Sequence, residues 1–305
     1  IFFWVIRMVF SSLYSVGEVP FHDVYLTGII RDAQGREMSK SLNNGIDPLE
    51  IIEEYGADAL RFMLVTGNSP GNDMRFHMER VEHARNFANK LWNASRFVLL
   101  YAEEGKTYQA DLSALKTEDR WILSRLRDTI ADMDKNYDKY EIGLAASRVY
   151  DFTWDTFCDW YIELIKPRLQ TEGEDKDKAM GVLLLVLEEI LKLLHPFMPF
   201  ITEEIYAHLP QTKGLLMNKI FMDAEKLPED PEAEDAMNLV IESITAIRNL
   251  RQEKNISPRR KSELLLMAEA EDVHKKLDEN RQHLLRLGFG TDVSFVKDND
   301  AIIDG

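Results

Sequence analysis

The stretch that decides the fold runs from residue 24 to residue 56 and reads VYLTGIIRDAQGREMSKSLNNGIDPLEIIEEYG. Its first seven residues are a nearly continuous β-type apolar run, which predicts a buried strand. A polar segment rich in Gly, Ser and Asn follows at 32–45. Asp47 and Pro48 then predict a helix start, with Asp as N-cap and Pro at the first helical position. Strand, polar loop and helix in this order are typical of an α/β domain.

From Met78 onward the apolar residues recur at helical spacing. Short segments containing Gly, Asn or Pro separate one helical pattern from the next. Long helices joined by brief loops predict an antiparallel bundle. The helical patterns cover residues 78–104, 118–137, 140–169, 177–195, 199–209 and 234–254.

Near the end of the sequence the pattern changes again. Residues 262–267 and 293–296 predict two short strands, and residues 273–287 between them have helical spacing. Two strands and one helix need to lean on the bundle, because so small a unit is not stable alone. The chain is therefore predicted to be mainly α, with α/β character at both ends.

The charge balance excludes several classes of protein. Lys and Arg number 37 against 53 Asp and Glu, which gives a net charge of −16. Such a chain does not coat nucleic acid or anionic membranes by charge alone, although one local basic face stays open. A single cysteine, Cys158, excludes an internal disulfide framework and a thiolate zinc cluster, and it fits a reducing compartment.

The first residues, IFFWVIRM, have the apolar character of a helix and are interrupted by Arg7. This run is far too short to span a bilayer, and it has neither the basic start nor the small-residue cleavage site of a signal peptide. We expect a cytoplasmic chain without membrane contact. Because the sequence starts inside a hydrophobic helix pattern, we expect it to be part of a longer protein.

The loop at 35–44 contains the most informative triplet, Ser39-Lys40-Ser41. In open α/β sheets, ligands bind beyond the carboxyl ends of the strands. A Lys at that place is a point charge for phosphate, and Ser hydroxyls can donate to phosphate oxygens. Taken alone, however, such a triplet is more often part of a solvated surface loop.

This loop and its surroundings resemble the class I aminoacyl-tRNA synthetases, and among them the valine-specific family. The loop is similar to the Lys-Met-Ser-Lys-Ser signature of the class, with Glu37 in place of the first Lys. The resemblance extends in the same order over residues 1–265. Other matching segments are PFHDVY at 20–25, YGADALRF at 55–62, TGNSPGND at 66–73, NFANKLWNASRF at 86–97, HPFMPF at 195–200 and ISP at 256–258.

The resemblance implies an enzyme that activates valine with ATP and then esterifies the valine to its tRNA. Mg²⁺ would accompany the nucleotide, with no metal site in this part of the protein. The resemblance also implies three domains: the C-terminal remnant of a Rossmann-like catalytic domain at 1–75, an anticodon-binding helical bundle at 76–256 and a small α/β connector at 257–305. The His-Ile-Gly-His motif of the class has no match in this sequence, so we expect this chain alone to be inactive. We also expect the protein to be a monomer.

The resemblance assigns the ATP site to Met38, Ser39, Lys40 and Ser41. Lys40 is the catalytic candidate, because negative charge grows on the departing pyrophosphate in the first step. Met38 would seat the loop, and the two serines would hold phosphate oxygens. Trp4 is a candidate for the valine pocket, with plain core packing as an equal alternative.

A second candidate surface lies on the helix predicted at 78–104. Asn86, Asn89 and Asn93 share one helix face, and Trp92 belongs to the stripe that we expect to be buried. Amides, cations and an aromatic ring are what base-edge recognition with stacking requires. By resemblance, the residues that meet the tRNA anticodon are Lys90, Asn93, Arg96 and Phe97. The alternative is that Phe97 packs in the bundle and the charges only solvate a helix.

Three further cations are candidates for contact with the tRNA backbone: Arg75, Arg248 and Arg251. Arg248 and Arg251 belong to a basic cluster at the end of the last bundle helix, where cations are favoured in any case. The aromatic residues between Phe152 and Trp160 are expected in the core. Two other functions stay open: another class I synthetase for a branched aliphatic amino acid, and a non-catalytic RNA-binding helical protein of synthetase ancestry.

Overall fold

The computed structural model describes residues 3–67, 69–210, 212–267 and 270–296. The outer ends of the first and last expected domains, residues 1–2 and 297–305, lie outside the described residues. Helices make up most of the described chain, which confirms the mainly α prediction. Within these ranges no helix is both long enough and apolar enough to cross a membrane.

The first part of the chain combines helices with two very short strands. Its elements are α1 (Trp4–Val16), β1 (Ile30–Arg31), α2 (Pro48–Tyr55), α3 (Ala57–Val65) and β2 (Met74–Arg75). The Asp47 side chain accepts a hydrogen bond from the Leu49 backbone N–H at 2.9 Å, and α2 ends at Gly56 with φ 90°, as the sequence predicts. The two strands pair in parallel, with Ile30 opposite Met74.

The buried strand predicted at 24–30 is wrong in extent and in burial. Only Ile30 and Arg31 form a strand, and the side chains of Tyr25, Leu26 and Ile29 are exposed. The physical reason is that a strand needs a neighbour for its backbone groups, and β2 offers only two residues. Close approach of the two segments at Gly28 allows no side chain, because a Cβ there would lie 1.7 Å from the Asn72 carbonyl oxygen.

The helical bundle follows without further strands until residue 262. Helix α8 lies at its centre and has buried side chains along nearly its whole length. Helix α10 begins at Pro231, three residues before the predicted start, because the Asp230 side chain caps it by accepting from the Ala233 N–H at 2.8 Å. The bundle helices are α4 (Met78–Tyr101), α5 (Thr117–Asp138), α6 (Ile142–Asp151), α7 (Ile162–Leu169), α8 (Glu174–Leu194), α9 (Pro199–His208) and α10 (Pro231–Glu253).

The helical pattern predicted at 140–169 contains a change of geometry. Residues Phe152–Tyr161 form a ten-residue π-helix between α6 and α7, called the π-segment below. Phe152 and Phe157 are buried in the core, whereas Trp154 and Trp160 are only partly buried. The expectation that this whole aromatic stretch is core is therefore only half right, because Trp154 and Trp160 pack against the core but keep part of their surface accessible to solvent. Wide turns of this kind are frequent at functional sites.

A buried ionic network joins the elements of the bundle. Arg168 Nη1 donates to Asp119 at 2.7 Å and to Glu118 at 3.0 Å, and its Nε donates to Asp175 at 3.1 Å. The Tyr161 hydroxyl donates to the other oxygen of Asp119 at 2.9 Å. These residues come from α5, the π-segment, α7 and α8, so one connected set of contacts joins four elements.

A small β-α-α-β unit follows α10 and is called the appendage below. It consists of β3 (Ser262–Met267), α11 (Glu271–Glu279), α12 (Arg281–Leu287) and β4 (Gly290–Val296). The two strands pair in parallel, and the helical pattern at 273–287 is interrupted at the buried Asn280. Arg286 donates to the Glu163 carbonyl oxygen, and this contact ties α12 to the bundle.

Candidate functional site

The loop after β1 is organised by one buried carboxylate. Asp32 is 6% exposed and accepts hydrogen bonds from the Arg36 backbone N–H at 2.8 Å and from Arg36 Nε at 2.7 Å. Asn44 Nδ2 donates to the same carboxylate at 2.9 Å, and Asn44 Oδ1 accepts from the Ser39 N–H at 2.9 Å. The start and the end of the loop are therefore held by the same side chain.

These contacts hold the pKa of Asp32 well below its ordinary value. The Asn44 amide, followed by the Arg36 backbone N–H and guanidinium, lowers the pKa from 3.8 to about 2, against the opposing effect of burial. Asp32 and Asn44 are not among the site residues predicted from the sequence. The turn that places Asp32 was detectable, since Gly35 takes the positive φ that it requires, but no local signal connects Asp32 with an Asn twelve residues later.

Within this loop the predicted ATP residues point in different directions. Met38 is half-buried against the core, which fits its predicted role of seating the loop. Ser39 Oγ accepts from the Leu42 N–H at 3.3 Å and lies 3.1 Å from Ser41 Oγ. Lys40 is exposed at the start of a 3₁₀ turn. The structure thus places the two serine hydroxyls side by side, while the Lys40 side chain between them in the sequence is exposed to solvent.

Arg75 lies beside this loop and not on the bundle. A Cβ added to Gly35 would stand 3.1 Å from Arg75 Nε, so the guanidinium packs over the glycine. The residue is exposed, and it is paired through β2 with Arg31 in β1. Arg75 is therefore a cation of the loop region, separate from the cluster that contains Arg248.

The second candidate surface is the outer side of α4. Asn86, Asn89, Asn93 and Arg96 are all exposed and follow one another along this side, which we call the amide face. Trp92 is also 38% exposed, so its predicted place in the buried stripe is wrong. Phe87 supplies the buried aromatic ring of α4 instead, packing on Phe62 and Tyr150.

Two of the predicted anticodon residues are already engaged within the chain. Lys90 Nζ forms an ion pair with Asp159 and lies 3.9 Å from the ring centre of Trp154. Phe97 is half-buried, with its ring 5.1 Å from Tyr101. Of the four predicted residues, Asn93 and Arg96 are the ones that the structure leaves exposed.

Arg251 does not have the surroundings of a backbone-binding cation. It is 6% exposed, and its terminal nitrogens donate to Ser262 Oγ at 3.0 Å, to the Ser257 carbonyl at 3.0 Å and to the Arg260 carbonyl. This burial argues against the phosphate contact expected for Arg251 and gives the residue a structural role. Arg248 is exposed, and its Nε donates to the Leu287 carbonyl at 3.0 Å.

Trp4 lies on the surface of α1 and is 68% exposed. No residue of α1 is buried, and Arg7 lies over the Trp4 ring at 4.9 Å. Core packing of Trp4, the alternative considered from the sequence, is therefore not seen within the described residues. Cys158 is partly buried, and burial raises the pKa of its thiol to about 12, so the thiol stays protonated at neutral pH.

Residues 1–77 match the family model described as tRNA synthetases class I (I, L, M and V). Residues 119–266 match the model described as the anticodon-binding domain of tRNA ligase. The valine–tRNA ligase of Clostridium acetobutylicum is 50% identical over 303 residues, which is 98% of this chain and 34% of the relative. That of Carboxydothermus hydrogenoformans is 51% identical over 280 residues, or 92% of this chain and 32% of the relative.

Two solved structures have a similar fold. The ternary complex of Agrobacterium radiobacter K84 LeuRS with tRNA and LeuAMS has a TM-score of 0.58 at 18% identity, and it covers 92% of this chain and 33% of that one. Mycobacterium tuberculosis methionyl-tRNA synthetase in complex with methionyl-adenylate has a TM-score of 0.54 at 22% identity, covering 64% and 40%. At these identities the likeness shows the fold alone.

The fold and the two matched family models define a class I aminoacyl-tRNA synthetase chain. Within that class, the chain belongs to the valine–tRNA ligase family, to which it is similar over nearly its whole length. It spans about a third of the length of the curated relatives it matches.

The loop geometry predicts how Asp32 titrates. Because its folded pKa of about 2 lies below the ordinary 3.8, its stabilisation of the loop is complete above about pH 4 and is lost as the pH falls through 2. Carboxyl NMR of the chain should give a midpoint near 2 for Asp32. Asn44→Ala should raise that midpoint, because it removes a hydrogen bond to the Asp32 carboxylate. Asn43→Gly should leave the midpoint unchanged, because glycine readily adopts the positive φ of 49° at this exposed residue. An Asp32 midpoint near 3.8 in the unsubstituted chain would contradict the proposed anchoring.

Proposed function

We propose that this chain supplies two functional parts of a valine–tRNA ligase: the loop that acts on the phosphates of ATP, and the helix that reads the tRNA anticodon. The observation that carries the proposal is the similarity of nearly the entire chain to valine–tRNA ligases. The high identity to valine–tRNA ligases favours this function over a synthetase for another branched aliphatic amino acid. A non-catalytic RNA-binding protein is disfavoured because the loop keeps Met38, Ser39, Lys40 and Ser41 in an anchored arrangement.

We propose the same three domains as the sequence predicts, at 1–75, 76–256 and 257–305. The first would belong to the catalytic domain, and the second would be the anticodon-binding bundle. The chain by itself would not catalyse valine-dependent pyrophosphate exchange, because no match to the His-Ile-Gly-His motif occurs in its sequence.

The ATP loop would act by electrostatics. In valine activation, a carboxylate oxygen of valine attacks the α-phosphorus, a new P–O bond forms, and the bond to pyrophosphate breaks with the electron pair leaving on pyrophosphate. No ion pair joins Lys40 to the described residues, so its ammonium is available to stabilise that growing charge. The hydroxyl oxygens of Ser39 and Ser41 lie 3.1 Å apart. Both hydroxyls would donate hydrogen bonds to phosphate oxygens.

The anchoring of the loop supports this role. Asp32 and Asn44 fix both ends, so little freedom remains to be lost when the phosphates bind. Mg²⁺ would be held by the nucleotide and would neutralise part of the phosphate charge. The described residues contain no group of three His, Cys, Asp or Glu side chains arranged for a metal, and Asp32 is occupied by its own contacts.

The anticodon surface would be the amide face of α4. Exposed amides can pair with base edges, and Arg96 can meet a phosphate or stack on a base. Phe97 would contribute a stacking surface only with the part of its ring that Tyr101 leaves open. Lys90 would first have to leave Asp159, so we give Asn93 and Arg96 the leading roles.

We predict that Lys40→Ala in the full-length ligase slows valyl-adenylate formation by about 10²–10³-fold, because one stabiliser of transition-state charge is lost. Valine binding should change little. The measurement is pre-steady-state pyrophosphate exchange, with Lys213→Ala, an exposed cation in another loop, as the matched control. An unchanged rate in Lys40→Ala would remove Lys40 from the mechanism.

We also predict that the chain binds valine tRNA more tightly than a tRNA with a swapped anticodon, and that this binding weakens with salt. Asn93→Ala should reduce the preference about tenfold, the size expected for the loss of one base-edge contact. Titration of both tRNAs at fixed salt provides the test. Asn218→Ala, at an exposed amide on a 3₁₀ turn before α10, is the control. Equal affinity of the unsubstituted chain for the two tRNAs would refute anticodon reading by this surface.

A further inference from the structure

A pocket of about 530 Å³ lies where α10 ends against the appendage. Its volume is in the range of sites that hold small molecules or single groups of larger ones. Most of its surface is apolar, yet it also contains two amides and an exposed guanidinium. The residues that define it are Arg248, Gln252, Asn255, Ile256, Pro258 and Phe289.

Phe289 lines this pocket and has an uncommon backbone conformation. Its φ is 60°, a left-handed value that is a genuine outlier for a bulky side chain. The glycines on either side allow the turn, since a Cβ at Gly288 would lie 2.6 Å from the Leu284 carbonyl and one at Gly290 would lie 2.7 Å from Leu264. Close packing of these two glycines against α12 and β3 thus holds the backbone at Phe289 in a strained conformation, a feature that clusters at ligand sites.

Two guanidiniums lie over the Phe289 ring. Arg248 is 6.0 Å and Arg251 5.6 Å from the ring centre, and Arg248 also lies 5.6 Å from the ring of Trp160 in the π-segment. Arg251 is more than nine-tenths buried, and its Nε has no hydrogen-bond partner within the described chain. Arg251 therefore lines the pocket with one buried donor that has no acceptor within the described chain, as several other arginines also do.

Four cations lie next to the pocket residues in the sequence and are called the rim below; the exposed carboxylates of Glu253 and Glu263 are also close in sequence. Elsewhere on the surface, cations such as Lys116 and Lys276 form ion pairs with carboxylates. The rim cations are exposed and form no such pair within the described residues: Lys254, Arg259, Arg260 and Lys261. In a chain with a net charge of −16, an unpaired basic rim favours a polyanionic partner.

We propose that this pocket binds one unstacked nucleotide of the tRNA, at a site separate from the amide face. The base would lie in the apolar part against Phe289, with its polar edge meeting the amides of Gln252 and Asn255. Its phosphate would meet Arg248 and the rim. The proposal rests on the proposed function, because it takes tRNA as the partner. A bare phosphate would leave the apolar surface and both amides unused.

The experiment is fluorescence titration of the chain with valine tRNA and with the anticodon-swapped tRNA. Phe289→Leu keeps an apolar side chain but removes the stacking ring, and it should weaken both tRNAs about tenfold and equally. Phe289→Tyr keeps the ring and should bind like the unsubstituted chain. Asn255→Gly, which suits the positive φ of 53° at that position, should also weaken both tRNAs.

Three controls separate the possible outcomes. Lys254→Ala should lower the slope of log affinity against log salt by about one, whereas Lys219→Ala, exposed outside the pocket, should not. Urea unfolding should show that the variants stay folded. Polyglutamate should displace bound tRNA from the chain less effectively than a single-stranded oligonucleotide of equal charge.

Unchanged affinity in Phe289→Leu and Asn255→Gly, with tRNA binding intact, would overturn the pocket and leave the proposed function standing. Equal competition by polyglutamate would overturn the nucleotide as the ligand. Failure of the unsubstituted chain to bind either tRNA would refute the proposed function, and this inference with it.

Discussion

The fold depends on the ion pairs that Arg168 makes inside the bundle. This guanidinium and the carboxylates of Glu118 and Asp119 are all nearly inaccessible to water. Burying such charges costs several kcal/mol per ion, and the cost is offset only when the geometry satisfies every group. Arg168 of α7 has its partners on α5 and α8, and Tyr161 of the π-segment donates to Asp119, so one connected set of contacts links the positions of these four elements. Burial correspondingly raises the pKa of Asp119.

The same network extends toward the appendage and thereby toward the proposed nucleotide pocket. His283 of α12 lies 3.9 Å from Glu118, and Arg286 on the same helix contacts Glu163. Beyond α12 come the strained Phe289 and then β4. These contacts of α12 join the appendage to the part of the bundle that contains the Arg168 ion pairs.

Part of the fold can be predicted from residues that are neighbours in the sequence. The cap at Asp47, the stop at Gly56 and the long bundle helices follow from residues close in sequence. Residues close in sequence do not predict the structure where a partner far along the chain decides the conformation or the burial of a side chain. The apolar run before Ile30 lacks a neighbouring strand, and Asp32 depends on Asn44. Arg251 resembles any surface cation in sequence, and only the fold shows that carbonyl oxygens surround it.

The most direct test of this account is the urea unfolding of Arg168→Met beside that of Lys178→Met. Lys178 forms an exposed pair with Glu174 within one helix, so its replacement should change the free energy of unfolding by less than about 1 kcal/mol. Arg168→Met leaves Glu118 and Asp119 buried without their cation, and it should cost about 3–5 kcal/mol. Equal stability of the two variants would contradict the claim that the Arg168 ion pairs hold the bundle together.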